Sequence, residues 1–230
     1  MTVLALNKFQ SGTELAHQLA DRICNELEAG ITERGSAILA VSGGSTPKLL
    51  FQILSGKAIN WSKVIITLVD ERWVDENDKR SNALLVKEHL LVNSAANARF
   101  VPLFHPGDID QEISELEVQL QSLPLPFDVV ILGMGGDGHT ASFFPGGDNL
   151  DAAVDQTGKY LLSSMRAHGA VEPRVTFTLP PLLESRFIAL HIEGSEKLDV
   201  FEHAMDDGDA NLMPVRHVIR NSDKLEVFWA

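Results

Sequence analysis

A chain of 230 residues with 44% hydrophobic and 22% charged side chains is long enough to bury a substantial core, so one domain over residues 1–230 is the default expectation. Its 32 acidic and 19 basic side chains leave a formal charge of −13 with no basic run, which argues against nucleic acid, because a phosphate backbone is bound through clustered Lys and Arg. No apolar run is long enough to span a bilayer, residues 1–9 lack the features of a secretion signal, and the lone Cys24 has no partner for an internal disulfide; the reading is a cytoplasmic protein without a membrane partner.

Ser11 and Glu14 have capping-box spacing, and Leu15, Leu19, Ile23 and Leu27 follow at helical intervals until Gly30 and Gly35. This predicts a long amphipathic helix, with Cys24 beside its apolar stripe as a core thiol. Residues 37–41, Ala-Ile-Leu-Ala-Val, form a short apolar strand that runs through Ser42-Gly43-Gly44-Ser45-Thr46-Pro47 into a helical stretch at 48–54. Further strands are expected at 64–69, 127–132, 175–179, 187–192 and 224–229, and helices at 82–91, 109–120 and 196–204. Near-continuous apolar strands belong to a sheet buried on both faces. Their alternation with helices predicts an α/β fold, a three-layer α/β/α arrangement around a mostly parallel, doubly wound sheet. Loops are expected at 102–107, 123–126, 145–158 and 206–214, where Pro, Gly and Asp gather.

Ligands of open α/β sheets collect beyond the carboxyl ends of the strands, and three segments fall there. In the first, Gly43 and Gly44 can turn backbone N–H groups toward a ligand, Thr46 can cap the following helix and Pro47 suits its first turn. Neither a dinucleotide fingerprint nor a Walker loop is present; an anion cradle at Ser42, Gly43, Gly44, Ser45 and Thr46 and a plain tight connection fit equally well. In the second, Asp70, Glu71 and Arg72 follow an apolar strand directly and would land on the crevice rim, a carboxylate as base and Arg72 as anion or oxyanion partner, unless they form a salt-bridged loop. The third, Gly133-Met134-Gly135-Gly136-Asp137-Gly138-His139, is the most informative. Its glycines permit close backbone approach around a small ligand, and it delivers Asp137 and a proton-accepting His139 to the same edge.

An anionic ligand bound by so acidic a chain needs local cations, and Arg174 and Lys197 are the candidates. The other histidines lack metal-ligand spacing and no Cys/His cluster exists, so no zinc site is expected. Trp61, Trp73 and Trp229 read as packing residues, having no basic patch beside them.

Taken in order, Ser42 to Pro47, Asp70-Glu71-Arg72-Trp73, Ser81-Asn82, Gly133 to Ser142 and Arg174-Val175-Thr176 resemble the 6-phosphogluconolactonase family over nearly the whole chain. Glucosamine-6-phosphate deaminases of the same superfamily usually carry Asp-Glu-Tyr where this chain has Asp70-Glu71-Arg72, and a glutamate after the histidine; here Thr140-Ala141-Ser142-Phe143-Phe144 follows without a carboxylate. The resemblance implies a modified Rossmann-like sheet and hydrolysis of 6-phospho-D-glucono-1,5-lactone without a required cofactor or metal. It implies a phosphosugar lactone as partner, and the chain is read as a monomer or weak homo-oligomer. Under it His139 is the base on water, Asp137 orients the imidazole or the substrate, and Arg72 or the loop N–H groups, Gly135 and Gly136 included, meet the oxyanion. Ser42 to Thr46 would hold phosphate, with Arg174 and Lys197 supplying charge. Two alternatives stay open: an isomerase or deaminase in which Asp70 removes a proton from the sugar, and a sugar-phosphate sensor without chemistry.

Overall fold

In the computed structural model, which describes residues 4–168 and 170–230, the chain begins with strand β1 (Ala5–Lys8), followed by helix α1 (Gly12–Arg34). The Ser11 hydroxyl caps α1 by accepting from the Glu14 N–H at 3.2 Å, as the spacing predicts. Leu15, Leu19, Ile23, Cys24 and Leu27 are buried along the stripe, and burial pushes the Cys24 thiol up to about 11. There follow β2 (Ala37–Val41), α2 (Lys48–Ser55), β3 (Val64–Leu68), β4 (Asp70–Arg72), α3 (Asn82–His89), β5 (Arg99–Val101), α4 (Ile109–Leu120) and β6 (Val129–Leu132). The remainder comprises α5 (Leu150–Val154), β7 (Leu162–Met165), β8 (Arg174–Phe177), α6 (Leu179–Leu183), β9 (Phe187–Ile192), α7 (Ser195–Met205), α8 (Val215–Asn221) and β10 (Leu225–Trp229). None of the described helices is long and apolar enough to cross a membrane.

Seven strands form one sheet in the order β1-β10-β9-β6-β2-β3-β5, and every pairing in it is parallel. β2, β6 and β9 are buried at every position, which is why they read as unbroken apolar runs. From β2 the chain builds outward through β3 and β5, then returns to the other side of β2 with β6. This reversal is a topological switch point, where the helices flanking neighbouring strands lie on opposite faces and a crevice opens.

Several expectations need correction. Residues 175–179 do not join the main sheet, and Asp70 to Arg72, for which a salt-bridged loop is the alternative to a place on the crevice rim, is a strand. β4, β8 and β7 instead make a separate three-stranded antiparallel sheet. Val69 joins the two sheets: its N–H donates to the Val41 carbonyl at 2.9 Å and its carbonyl accepts from the Phe177 N–H at 2.9 Å. The strand at 175–179 stops at Phe177 because Pro180 and Pro181 cannot donate to a ladder yet suit the first turn of α6. Thr46 makes no capping bond either; Pro47 occupies the N-cap position of α2 without a side-chain acceptor. The stretches at 145–158 and 206–214 contain α5 and a short 3-10 turn, Ala210–Leu212, that were expected to be loop.

Candidate active site

A cleft of about 260 Å³ opens at the switch point, beyond the carboxyl ends of β2 and β6. Ser42, Gly43, Gly44, Ser45, Thr46, Asp70, Arg72, Gly135, His139, Arg174 and Lys197 all line it, so the fold gathers almost every residue singled out from the sequence. Gly136 and Asp137 are not in the wall; Asp137 sits behind it against the His139 ring.

The loop after β2 is shaped by two requirements. The Ser42 N–H is committed to the Ile131 carbonyl at 3.0 Å, and Gly44 has φ of 98°, a left-handed conformation open to glycine. A Cβ on Gly43 would lie 1.8 Å from Asn82 Oδ1. Asn82 is itself buried and donates from Nδ2 to the Asp70 carbonyl at 2.8 Å. It thus ties the loop to β4 and to the start of α3.

The loop after β6 is held closed on itself. The Gly135 N–H donates to the His139 carbonyl at 2.8 Å, the Gly138 N–H to the Gly135 carbonyl at 3.2 Å, and Thr140 Oγ1 to the Gly133 carbonyl at 2.7 Å. A Cβ on Gly135 would lie 2.2 Å from the His139 ring, so that glycine lets the imidazole fold over the backbone. Asp137 Oδ1 sits 2.5 Å from His139 Nδ1 and accepts from the His139 N–H at 3.1 Å. Burial alone would push the Asp137 carboxyl up, but the His139 N–H and imidazole outweigh it and hold the carboxyl below its ordinary value. An ionised Asp137 fixes the tautomer: the proton is on Nδ1 and the lone pair on Nε2. From behind, the Val215 N–H donates to the Gly138 carbonyl at 2.9 Å. Arg216, buried at the start of α8, donates to the carbonyls of Ala204, Asp209 and His203 at 3.2, 3.0 and 2.9 Å.

The small sheet supplies the opposite wall. Arg72 and Arg174 are paired across β4 and β8, a like-charge pairing that destabilises a sheet unless an anion answers it. Both Nε atoms are buried without an acceptor. Burial pushes the Arg174 guanidinium below its ordinary range, with Asp70 pulling it back, and the guanidinium lies 5.6 Å from the Phe144 ring centroid. Asp70 is buried and accepts from Ser142 Oγ at 2.6 Å. Glu71 points away from this chemistry. Its carboxylate accepts from the N–H groups of Arg72, Asn82 and Ala83 at 2.7, 2.7 and 2.8 Å and from Ser81 Oγ at 3.0 Å, capping α3.

Lys197 enters from the first turns of α7, and His191 and Glu193 line the cleft beside it. In the sequence His191 is set aside with the histidines that lack metal-ligand spacing, since it sits in the apolar run of β9; its Nε2 is 3.0 Å from Glu193 Oε1 and its Nδ1 is buried without a partner. Ser142, which donates to Asp70, closes the Gly133-to-Ser142 stretch that carries the resemblance, but nothing local ties it to Asp70. Among the described residues, His105, Glu112 and Glu115 bring ligand atoms within 4.8 Å of one another, at the start of α4 and outside the cleft. Carboxylates supply two of the three groups, so histidine spacing could not reveal it.

Fold and site together define an α/β protein with a crevice at its switch point, equipped with a His–Asp pair on one wall and two arginines on the other. The family model described as glucosamine-6-phosphate isomerases/6-phosphogluconolactonase matches residues 10–229, and the chain belongs to that family. It is 47% identical over 224 residues to the 6-phosphogluconolactonase of Rhizobium meliloti, spanning 96% of this chain and 97% of that protein. The 6-phosphogluconolactonase of Pseudomonas aeruginosa is 39% identical over 98% of this chain and 94% of its own length. A crystal structure of a 6-phosphogluconolactonase from Shewanella baltica superposes with a TM-score of 0.95 at 41% identity, covering 98% of this chain and 97% of that one.

Proposed function

We propose that the chain is a hydrolase that opens 6-phospho-D-glucono-1,5-lactone to 6-phosphogluconate, in the oxidative branch of the pentose phosphate pathway. The observation that carries the reading is the His139–Asp137 pair, 2.5 Å apart, at the edge of a cleft whose other wall holds two buried guanidinium Nε atoms without acceptors. Full-length likeness to proteins named for this activity supports it.

His139 Nε2 takes a proton from water as the water oxygen bonds to the lactone carbonyl carbon. The carbonyl π pair moves to oxygen, and a tetrahedral oxyanion forms. When it collapses, the bond to the ring oxygen breaks and the imidazolium returns its proton to that oxygen, leaving a free hydroxyl and a carboxylic acid that ionises. Asp137 keeps the proton on Nδ1 and stabilises the transient imidazolium.

The N–H groups of Gly135, Gly138 and His139 are committed inside the loop, which shifts oxyanion stabilisation toward Arg72 and the remaining loop N–H groups such as that of Met134. The substrate phosphate is assigned to residues 43–46 with Lys197 and Arg174, where backbone N–H groups and cations converge. Asp70, held by Ser142, balances Arg174 and orients a sugar hydroxyl.

The assay is proton release from freshly generated lactone, with spontaneous opening subtracted. His139→Ala is expected to lower kcat at least about 100-fold while phosphate binding changes little; near-normal turnover overturns the role of His139. Ammonia released from glucosamine 6-phosphate would instead place Asp70 at the head of a deaminase mechanism, and saturable binding with no rate above background would make the chain a sensor.

A further inference from the structure

Beside the cleft lies a side pocket of about 170 Å³ that shares Gly44, Ser45, Arg72 and Asn82 with it. Four of its nine lining residues are Lys or Arg, namely Lys48, Arg72, Lys79 and Arg80, and none is Asp or Glu. In a chain with 32 acidic and 19 basic side chains, that composition is the reverse of the whole. One of the four cations is answered: Arg80 pairs with Asp78 at 2.7 Å and with Glu172, and Arg80 holds the Asp78 carboxyl down at about 2. Lys48 and Lys79 take part in none of the ion pairs found among the described residues. Arg72 donates from Nη1 to the Arg80 carbonyl, and its Nε is buried without an acceptor. Lys48 is also the first residue of α2, whose N-terminus has no side-chain cap, so helix N–H groups add to the positive potential there.

Unanswered like charges around one concavity repel each other, and they persist most readily where an anion visits. The volume is below the range of pockets for drug-sized ligands and is on the scale of a single phosphoryl group with its water. Because the pocket and the cleft have Arg72 and the Gly44–Ser45 edge in common, an anion can pass from one to the other without leaving positive potential. Screening makes local charge decisive: at physiological salt the Debye length is about 8 Å, so the distant carboxylates behind the −13 weigh little at this mouth.

We infer that the side pocket is a second anion site, an antechamber that holds the phosphoryl group of the sugar phosphate as it reaches or leaves the cleft. The role as antechamber rests on the proposed lactone chemistry; the anion site itself does not.

Both parts are tested on the full chain with the double variant Lys48→Gln/Lys79→Gln. Calorimetric titration with inorganic phosphate should give two bound ions per chain in the parent and one in the variant. One ion in both, or two in both, overturns the site. In the lactone assay at low ionic strength the variant should keep kcat within about twofold and lose about five- to tenfold in kcat/KM, the scale of electrostatic capture, with the two proteins converging as salt is raised. If phosphate stoichiometry falls but kcat/KM and its salt dependence do not change, the pocket takes free phosphate and the antechamber role is overturned. A parent chain that binds two phosphates yet opens no lactone sinks the proposed hydrolysis and leaves the anion site standing.

Discussion

Replacing Glu71 with Ala should damage the fold more than the local sequence suggests. The carboxylate accepts from four donors, the N–H groups of Arg72, Asn82 and Ala83 and the Ser81 hydroxyl, and it is completely buried. A hydrogen bond to a charged group contributes roughly 1.5–3 kcal/mol, so the gross loss is several times larger than for an exposed cap. Two effects reduce it: water enters the vacated space, and the desolvation of the carboxylate is relieved. That desolvation is real, because burial pushes the Glu71 carboxyl above its ordinary value despite the four donors. A net destabilisation of about 3–5 kcal/mol follows, as for other broken buried polar contacts, and at roughly 2–4 °C per kcal/mol for a chain of this size the melting temperature should fall by about 6–20 °C. The raised pKa sets the sign with pH. Its contribution to stability is fully present below the unfolded carboxylate value and is lost as pH rises through the folded one, so the gap between parent and variant should be widest in acid and narrow upward. Paired calorimetric scans across pH measure both effects. A shift of less than about 3 °C at neutral pH, under 1 or 2 kcal/mol by the same conversion, would refute the claim that Glu71 organises the start of α3.

Gly43→Ala places a Cβ 1.8 Å from Asn82 Oδ1, and Asn82 is anchored to the Asp70 carbonyl. The loop must move, so KM for the lactone should rise at least about tenfold; an unchanged KM removes this loop from phosphate binding. Asp137→Asn keeps the shape but can present an amide donor to Nδ1, favouring the wrong tautomer, and kcat should fall about 100-fold or more with KM little affected; equal loss in both parameters would point to a collapsed loop. Cys24, its thiol raised to about 11 by burial, should react with a disulfide reagent at pH 8 only after denaturant is added. Equal rates in native and denatured protein would show that the helix stripe is open.

The two loops at the switch point were readable because they carry their own physics. Glycines at the end of an apolar strand mark a place where backbone must approach something, and His139 among them marks what that something meets. The wall made by Asp70, Arg72 and Arg174 was visible as residues but not as a sheet. A strand of three residues has no periodicity to detect, and a charged triplet after an apolar run looks like a rim. One clue was present: Ser81 caps a helix with Leu84, not an acid, three residues on, which leaves the remaining N–H groups to water or to a side chain from elsewhere. Nothing local could assign it to Glu71, because the partners are brought together only by the turn between β4 and α3. For β1, β5 and β7 the reason is brevity and mixed polarity; each is stabilised by its neighbour in the sheet and not by any preference of its own.

The pairing of β1 with β10 sets Ala5 against Glu226 and Lys8 against Trp229, and the Gly138 carbonyl takes its donor from Val215. On the ribosome these contacts come in a fixed order. Residues 5–8 are made long before residues 226–229 and have no strand beside them until those follow, and the loop bearing His139 stays without its backing until α8 has been made. Such long-range parallel pairing is slow to form and leaves apolar surface exposed in the meantime. The geometry of the His139 loop therefore depends on α8, which the chain supplies long after the loop itself has been made.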